Sequence, residues 1–147
     1  MSLIVAFAAA MTLSQGCAPA AQSAWSRPVE QSETASLRLG APRQLALHPV
    51  EEVRWTLPPE REPRPGSRGA AVTMQVEREG TYLIALEHAA WIDVAGPAGL
   101  VASRAHGHGP AGSGIRKIVE FSLRPGVYSI QLSGAAVPAM RILAARC

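Results

Sequence analysis

Apolar and polar residues alternate along most of the chain from residue 37 onward. A period of two is typical of β-strands that bury one face. Turn signals such as Pro58-Pro59, Gly96-Pro97 and Arg124-Pro125-Gly126 separate the alternating segments. The pattern predicts an all-β fold, an antiparallel, jelly-roll-like sandwich of eight or nine short strands. The predicted strands are centred on Leu45–Leu47, Val53–Leu57, Val72–Val76, Tyr82–Leu86, Trp91–Val94, Leu100–Ser103, Ile118–Leu123, Tyr128–Leu132 and Met140–Ile142.

Two of these strands begin with the same pattern, G-x-Y-x-I-x-L, starting at Gly80 and at Gly126. Each glycine suits a turn with positive φ. Each tyrosine, Tyr82 and Tyr128, lies in phase with the apolar face of its strand. We therefore expect each hydroxyl to bond to nearby backbone, as in a tyrosine corner.

The first residues differ from the rest of the chain. An apolar run from Leu3 to Leu13, too short to span a bilayer, is followed by small residues, which is the order of a secretory signal without its basic start. We expect a signal peptide over residues 1–20 with a cleavage site at Ala18-Pro19-Ala20, a flexible linker over 21–36 and a domain over 37–147. The alternative is a lipoprotein anchored to a membrane through Cys17. Either route predicts a periplasmic or secreted protein.

Composition narrows the chemistry. The net charge is +3, with thirteen arginines scattered along the chain and a single lysine, Lys117, so there is no dense basic tract for nucleic acid. Cys17 and Cys147 are the two cysteines. If Cys17 leaves with the signal, Cys147 becomes a lone thiol and the domain has no internal disulfide. Acidic clusters of the kind that bind calcium are absent from the sequence.

The two G-x-Y-x-I-x-L hairpins, the strand Trp91-Ile92-Asp93-Val94 and the segment Gly99-Leu100-Val101-Ala102-Ser103 together resemble the bacterial pre-peptidase C-terminal domain. The resemblance covers roughly residues 70–144 and implies a secreted β-sandwich that acts as an accessory module. The segment A-H-G-H-G-P-x-x-S-G-I-R-K, residues 105–117, also resembles a segment of small exported alphaproteobacterial proteins. Some of those proteins are called homogentisate dioxygenases. This chain has no cupin motif with the glutamate that such an activity would need.

The segment Arg104–Lys117, with the sequence R-A-H-G-H-G-P-A-G-S-G-I-R-K, is the strongest candidate for function. His106 and His108 form an H-x-H pair whose imidazoles would share one face of a strand and could hold Zn²⁺ or Cu²⁺. A stable site needs a further ligand. The candidates are His48, His88, Asp93, Glu87 and Cys147. The alternative is a glycine-rich surface loop with two solvated histidines.

The end of the same segment suggests anion or partner contact. Backbone N–H groups near Ser113, together with the charges of Arg116 and Lys117, suit an anion, although strand alternation would place Arg116 and Lys117 on opposite faces. Catalysis has less support, because Ser113 lacks the G-x-S-x-G elbow and Asp93 is expected to accept backbone N–H bonds or to pair with an arginine. Trp55 and Trp91 could stack on a sugar or an aromatic ligand, but packing in the core is the preferred interpretation.

The sequence thus favours an exported, non-enzymatic binding or accessory module whose contact surface is the 104–117 segment. Its partner would be an envelope protein or a small ligand. A periplasmic metal-binding protein that uses His106 and His108 is the first alternative, and an enzyme of unknown reaction is the second.

Overall fold

The computed structural model describes residues 12–30 and 34–147. It confirms the all-β sandwich predicted from the alternation. The described residues form one α-helix, one short 3₁₀ turn at Val50–Glu52 and eleven strands, more than the expected eight or nine because several have only two or three residues. The elements are α1 (Cys17–Trp25), β1 (Ser36–Leu37), β2 (Arg43–Ala46), β3 (His48–Pro49), β4 (Arg68–Val76), β5 (Gly80–Leu86), β6 (Trp91–Gly96), β7 (Gly99–Leu100), β8 (Ala105–Gly107), β9 (Lys117–Leu123), β10 (Gly126–Ala135) and β11 (Ala139–Arg146).

The strands form two sheets that enclose the main hydrophobic core. The six-stranded sheet has the order β1-β4-β10-β6-β7, with β3 also paired to β4. The five-stranded sheet has the order β2-β11-β5-β9-β8. Every pairing between these strands is antiparallel except that of β1 with β4. The inner faces bury the apolar positions of the alternating pattern, among them Met74, Ile84, Ile130, Leu132 and Ile142, as burial of one face requires.

Helix α1 covers the outer face of the five-stranded sheet, where a flexible linker was expected. Its buried residues Ala21, Ala24 and Trp25 pack against Leu83 and Leu143 in a second apolar cluster. Residues 21–25, which were expected in a flexible linker, are thus helical, because the small side chains of Ala21 and Ala24 let the helix approach the sheet closely. Among the described residues, no helix is long and apolar enough to cross a membrane.

A disulfide joins Cys17, at the start of α1, to Cys147, just after β11. The expectation that Cys147 is a lone thiol, and that the domain has no internal disulfide, was therefore wrong. The sequence argument failed because it assigned Cys17 to a peptide that is removed. Most of the proposed signal run, residues 1–11, lies outside the described residues. Cleavage after Ala20 would remove one half of this disulfide.

An extended segment covers the outer face of the six-stranded sheet. Val53–Leu57 alternates as predicted, but it is not a strand. Its backbone pairs instead with one side chain, since Gln131 Oε1 accepts from the N–H groups of Thr56 (2.8 Å) and Leu57 (3.3 Å), and Gln131 Nε2 donates to the Leu57 carbonyl (2.9 Å). The buried amide thus satisfies backbone groups that a neighbouring strand would otherwise pair.

The two tyrosine predictions are confirmed. Tyr82 Oη donates to the Arg78 carbonyl at 2.6 Å, and Tyr128 Oη donates to the Arg124 carbonyl at 2.7 Å, in each case four residues upstream. The Arg124 N–H also donates to Tyr128 Oη at 3.1 Å. The expected positive φ occurs at Gly126 (157°), whereas Gly80 has a negative φ.

Candidate functional site

The segment Arg104–Lys117 contains β8 and its connection to β9, at the edge of the five-stranded sheet. The pair is antiparallel, with His106 opposite Val119 and Gly107 opposite Ile118. Beyond β8 the connection stays hydrogen-bonded, because the Gly109 N–H donates to the Ile115 carbonyl at 3.2 Å and the Arg116 N–H donates to the Leu86 carbonyl at 2.8 Å. These bonds hold the segment as a defined hairpin.

Two residues fix the base of this hairpin. A side chain on Gly109 would collide with Ile115 and with Ser113 Oγ, so only glycine allows the two arms to approach this closely. Ile115 is buried in the second cluster with Trp25, which ties the hairpin to helix α1. The glycine and the isoleucine therefore position the polar residues that flank them, His108 and Arg116.

Four basic side chains of this segment line one small pocket. His106, His108, Arg116 and Lys117 surround a cavity of about 140 Å³, together with Ala89 and Gly107. Both histidines and the two cationic side chains, which the sequence analysis assigned to two alternative sites, thus share one site. Arg116 and Lys117 were expected on opposite faces of a strand; strand β9 starts only at Lys117, and both residues line the pocket.

Hydrogen bonding sets the orientation of His108. Its Nδ1 lies 2.9 Å from the Arg116 carbonyl. Because a carbonyl can only accept, Nδ1 carries the proton and donates. Nε2 is then left for a ligand. Both histidine side chains are exposed, so the pocket is open to solvent.

Lys117 lies partly buried between the two sheets. Its Nζ donates to the Ala90 carbonyl at 2.9 Å and lies 5.6 Å from the centre of the Trp91 ring. Arg61 lies over the same ring, with its guanidinium carbon 4.0 Å from the ring centre. Burial, and secondly the charge of Arg61, lower the pKa of Lys117 below its usual 10.5.

Ser113, the third residue of the predicted anion site, does not line this pocket. Its Oγ accepts from the Ile115 N–H at 3.2 Å, and its N–H donates to the Pro110 carbonyl. Asp93, the candidate carboxylate of a triad, accepts from Trp91 Nε1 (3.0 Å) and from the Glu60 N–H (3.2 Å). The expectation that Asp93 accepts a backbone N–H is thus confirmed.

The structure does not bring a third metal ligand to the two histidines. Within residues 12–30 and 34–147, no group of three His, Cys, Asp or Glu side chains could hold a metal ion. His48 lies on β3, His88 lies 3.6 Å from the carboxylate of Glu87, and the sulfur of Cys147 is in the disulfide. The metal site centred on His106 and His108 stays a prediction.

The contact between Arg61 and the ring of Trp91, which lies beside the pocket, was not predicted from the sequence. Trp55 and Trp91 were expected in the core, which is wrong, because both are half-buried and belong to neither buried cluster. The signal that was available is the phase of Trp91: it shares the outer face of β6 with Asp93. Nothing in the sequence indicated that Arg61 would lie over its ring.

Comparison of the chain with family models, with curated proteins and with solved structures finds no match. The resemblance to the pre-peptidase C-terminal domain therefore stays a prediction.

Proposed function

We propose that this protein is an exported, non-enzymatic binding module of the β-sandwich class, which binds an anionic group at the pocket of His106, His108, Arg116 and Lys117. The group belongs to a small ligand or to an envelope protein. The single observation that carries the proposal is the composition of this pocket: four lining residues are basic and none is acidic.

Electrostatics favours an anion over a metal cation here. Arg116 and Lys117 are charged at neutral pH, and both repel a divalent cation that approaches the two histidines. The same charges attract a carboxylate or phosphate, and the guanidinium of Arg116 and the ammonium of Lys117 supply charge-assisted hydrogen bonds to it. A volume of about 140 Å³ suits such a head group and its first hydration waters.

Export is supported by two features from opposite ends of the chain. The apolar run from Leu3 to Leu13 has the order of a secretory signal. The disulfide between Cys17 and Cys147 belongs to an oxidising compartment, such as the periplasm or the cell exterior, and it requires cleavage of the signal before Cys17 rather than after Ala20. A lipid on the Cys17 sulfur would exclude this disulfide, so the secreted form is the one we favour.

The test is a titration of the full chain with inorganic phosphate and with acetate, followed by NMR of the histidine ring protons. We expect saturable shifts at His106 and His108. Arg116→Gln/Lys117→Gln should weaken binding about tenfold or more, because each charge-assisted contact contributes roughly 1.5 kcal/mol or more. The matched control is Arg78→Gln/Arg124→Gln, which removes two exposed charges from distant turns and should leave binding unchanged.

Zinc and copper are titrated in parallel. The anion proposal is replaced by the metal-binding one if two results occur together. Neither anion gives a response, and zinc or copper binds with a stoichiometry near one that His106→Ala/His108→Ala abolishes.

A further inference from the structure

The pocket of His106, His108, Arg116 and Lys117 adjoins a larger groove between the two sheets. The groove has a volume of about 650 Å³ and shares His106 and Lys117 with the pocket. It lies along β6 on one side and along β8 and β9 on the other. A cavity of this size is within the range of small-molecule sites.

About half of the wall of the groove is apolar. Both sheets and the link between them contribute, through Ile92, Leu100, Val101, Val119 and Phe121. Leu100 is 40% exposed, one of three large apolar residues in the described part of the chain with this much exposure. A ligand that covered Leu100 would remove apolar surface from water, which is favourable.

The polar side of the groove carries both signs of charge, with Arg61, His106 and Lys117 on one hand and Glu60 and Asp93 on the other. His106 and Lys117 are the two residues that the groove shares with the pocket. Asp93 already accepts two hydrogen bonds, from Trp91 and from the Glu60 backbone, so it is committed to the fold. An anion beside Lys117 would offset both the burial of that ammonium group and its repulsion from Arg61.

We infer that the ligand is a small anionic amphiphile: a carboxylate or phosphate head bound by His106, Arg116 and Lys117, with an apolar body that lies in the groove against Leu100, Val101 and Phe121. This inference rests on the proposed function and adds the class of ligand to it. The juxtaposition of the two cavities through His106 and Lys117 is its basis, because it places a cationic end next to the apolar part of the groove wall.

The experiment compares five probes on the full, disulfide-bonded chain by calorimetry, below the concentration at which any probe forms micelles. The probes are decanoate, decyl phosphate, decanol, acetate and inorganic phosphate. We expect decanoate or decyl phosphate to bind at least about tenfold more tightly than acetate, phosphate and decanol, since a few buried methylenes suffice for that ratio. The ratio of decanoate to decyl phosphate distinguishes the two head groups.

Variants assign the two halves of the site. Leu100→Asp should reduce decanoate binding to the level of acetate, whereas Leu39→Asp, at another apolar residue with comparable exposure (39%), should leave it unchanged. Lys117→Gln should weaken the binding of every anionic probe. Circular dichroism and the thermal midpoint confirm that each variant is folded.

The outcomes separate this inference from the proposed function. If acetate or phosphate binds as tightly as its decyl counterpart, or if Leu100→Asp has no effect, the amphiphile is wrong and the anion site stands. If decanol binds as tightly as decanoate and Lys117→Gln changes the affinity of neither, both the amphiphile and the anion site are overturned. The same holds if no anion binds at all.

Discussion

Cys17 and Cys147 are 130 residues apart in sequence and joined by a disulfide, with their Cα atoms 4.3 Å apart. The bond attaches the first turn of α1 to the end of β11. It therefore fastens the helix to the sheet whose outer face that helix covers. Because one bond closes almost the whole chain into a loop, its effect on the unfolded state is large.

We predict that Cys17→Ser/Cys147→Ser lowers the free energy of unfolding by about 2–4 kcal/mol, measured by urea denaturation. The double substitution avoids leaving one free thiol that could pair between chains. Mass spectrometry of peptides digested without reductant should find the two cysteines in one linked pair. A thioether-linked lipid on Cys17 in the native protein would contradict the prediction, because the same sulfur cannot carry both.

The fold was predictable because strand alternation is a local signal. The strands that bury one face, such as Val72–Val76 and Tyr128–Leu132, were found from period two alone. Val53–Leu57 has the same alternation, but the Gln131 side chain takes the place of a partner strand there. That contact is 74 residues away in sequence, so no local pattern could indicate it.

The four basic residues of the candidate pocket could be named from the sequence, but the pocket that they share and the contact of Arg61 with Trp91 beside it could not. Two histidines in a glycine-rich hairpin indicated the 104–117 segment, since no packing requirement explains them. The approach of Arg61 to Trp91 depends on how the loop after residue 58 lies across β6, which tertiary structure decides. The helix over 17–25 was missed because its small residues carry almost no periodicity.

Glu120 supports a second prediction. It is fully buried on β9, and its carboxylate accepts hydrogen bonds from both the backbone N–H (2.8 Å) and the hydroxyl of Ser14. The guanidinium of Arg104 lies 3.8 Å away. Glu120→Leu leaves these groups without their acceptor, so we expect a loss of about 1–3 kcal/mol in the free energy of unfolding.

Glu120→Gln keeps an acceptor oxygen and should lose less than Glu120→Leu in the same urea titration. Hydrogen exchange locates the effect: amide protection should fall at Ser14 and along α1, and not in the six-stranded sheet. Equal stability of the leucine and glutamine variants would show that the contact with Ser14 contributes nothing.

Gln131 supports a third prediction. Its side chain makes three hydrogen bonds to the backbone of Thr56 and Leu57. Gln131→Leu has a similar volume but cannot pair with these groups, so we expect about 1–3 kcal/mol of destabilisation. Gln75→Leu, at an exposed position of β4, is the matched control and should change the thermal midpoint little. Similar thermal midpoints for the two variants would show that the hydrogen bonds from Gln131 to the backbone of Thr56 and Leu57 do not stabilise the fold.

The last prediction concerns the protonation of Lys117. Burial and Arg61 lower its pKa, which means that the folded state binds this proton less readily than the unfolded state does. Above about pH 10.4, the pKa of a lysine in the unfolded chain, Lys117 is neutral in both states and its burial costs no charge-related stability. As the pH falls from there through the lowered pKa of the folded state, the unfolded chain takes up the proton more readily, and the free energy of unfolding decreases. Lys117→Met should therefore raise the thermal midpoint at neutral pH, and the gain should vanish above about pH 10.4.

Because Lys117 is the only lysine, reductive methylation with ¹³C-formaldehyde labels a single side chain besides the amino terminus. Its NMR titration should give a pKa below that of a methylated lysine in a short peptide. Arg61→Gln should move the value back up in part, since it removes the smaller of the two causes. In the parent protein, added phosphate or acetate should also raise the pKa of Lys117. A peptide-like pKa that neither change affects would place Lys117 in solvent and remove it from the proposed site.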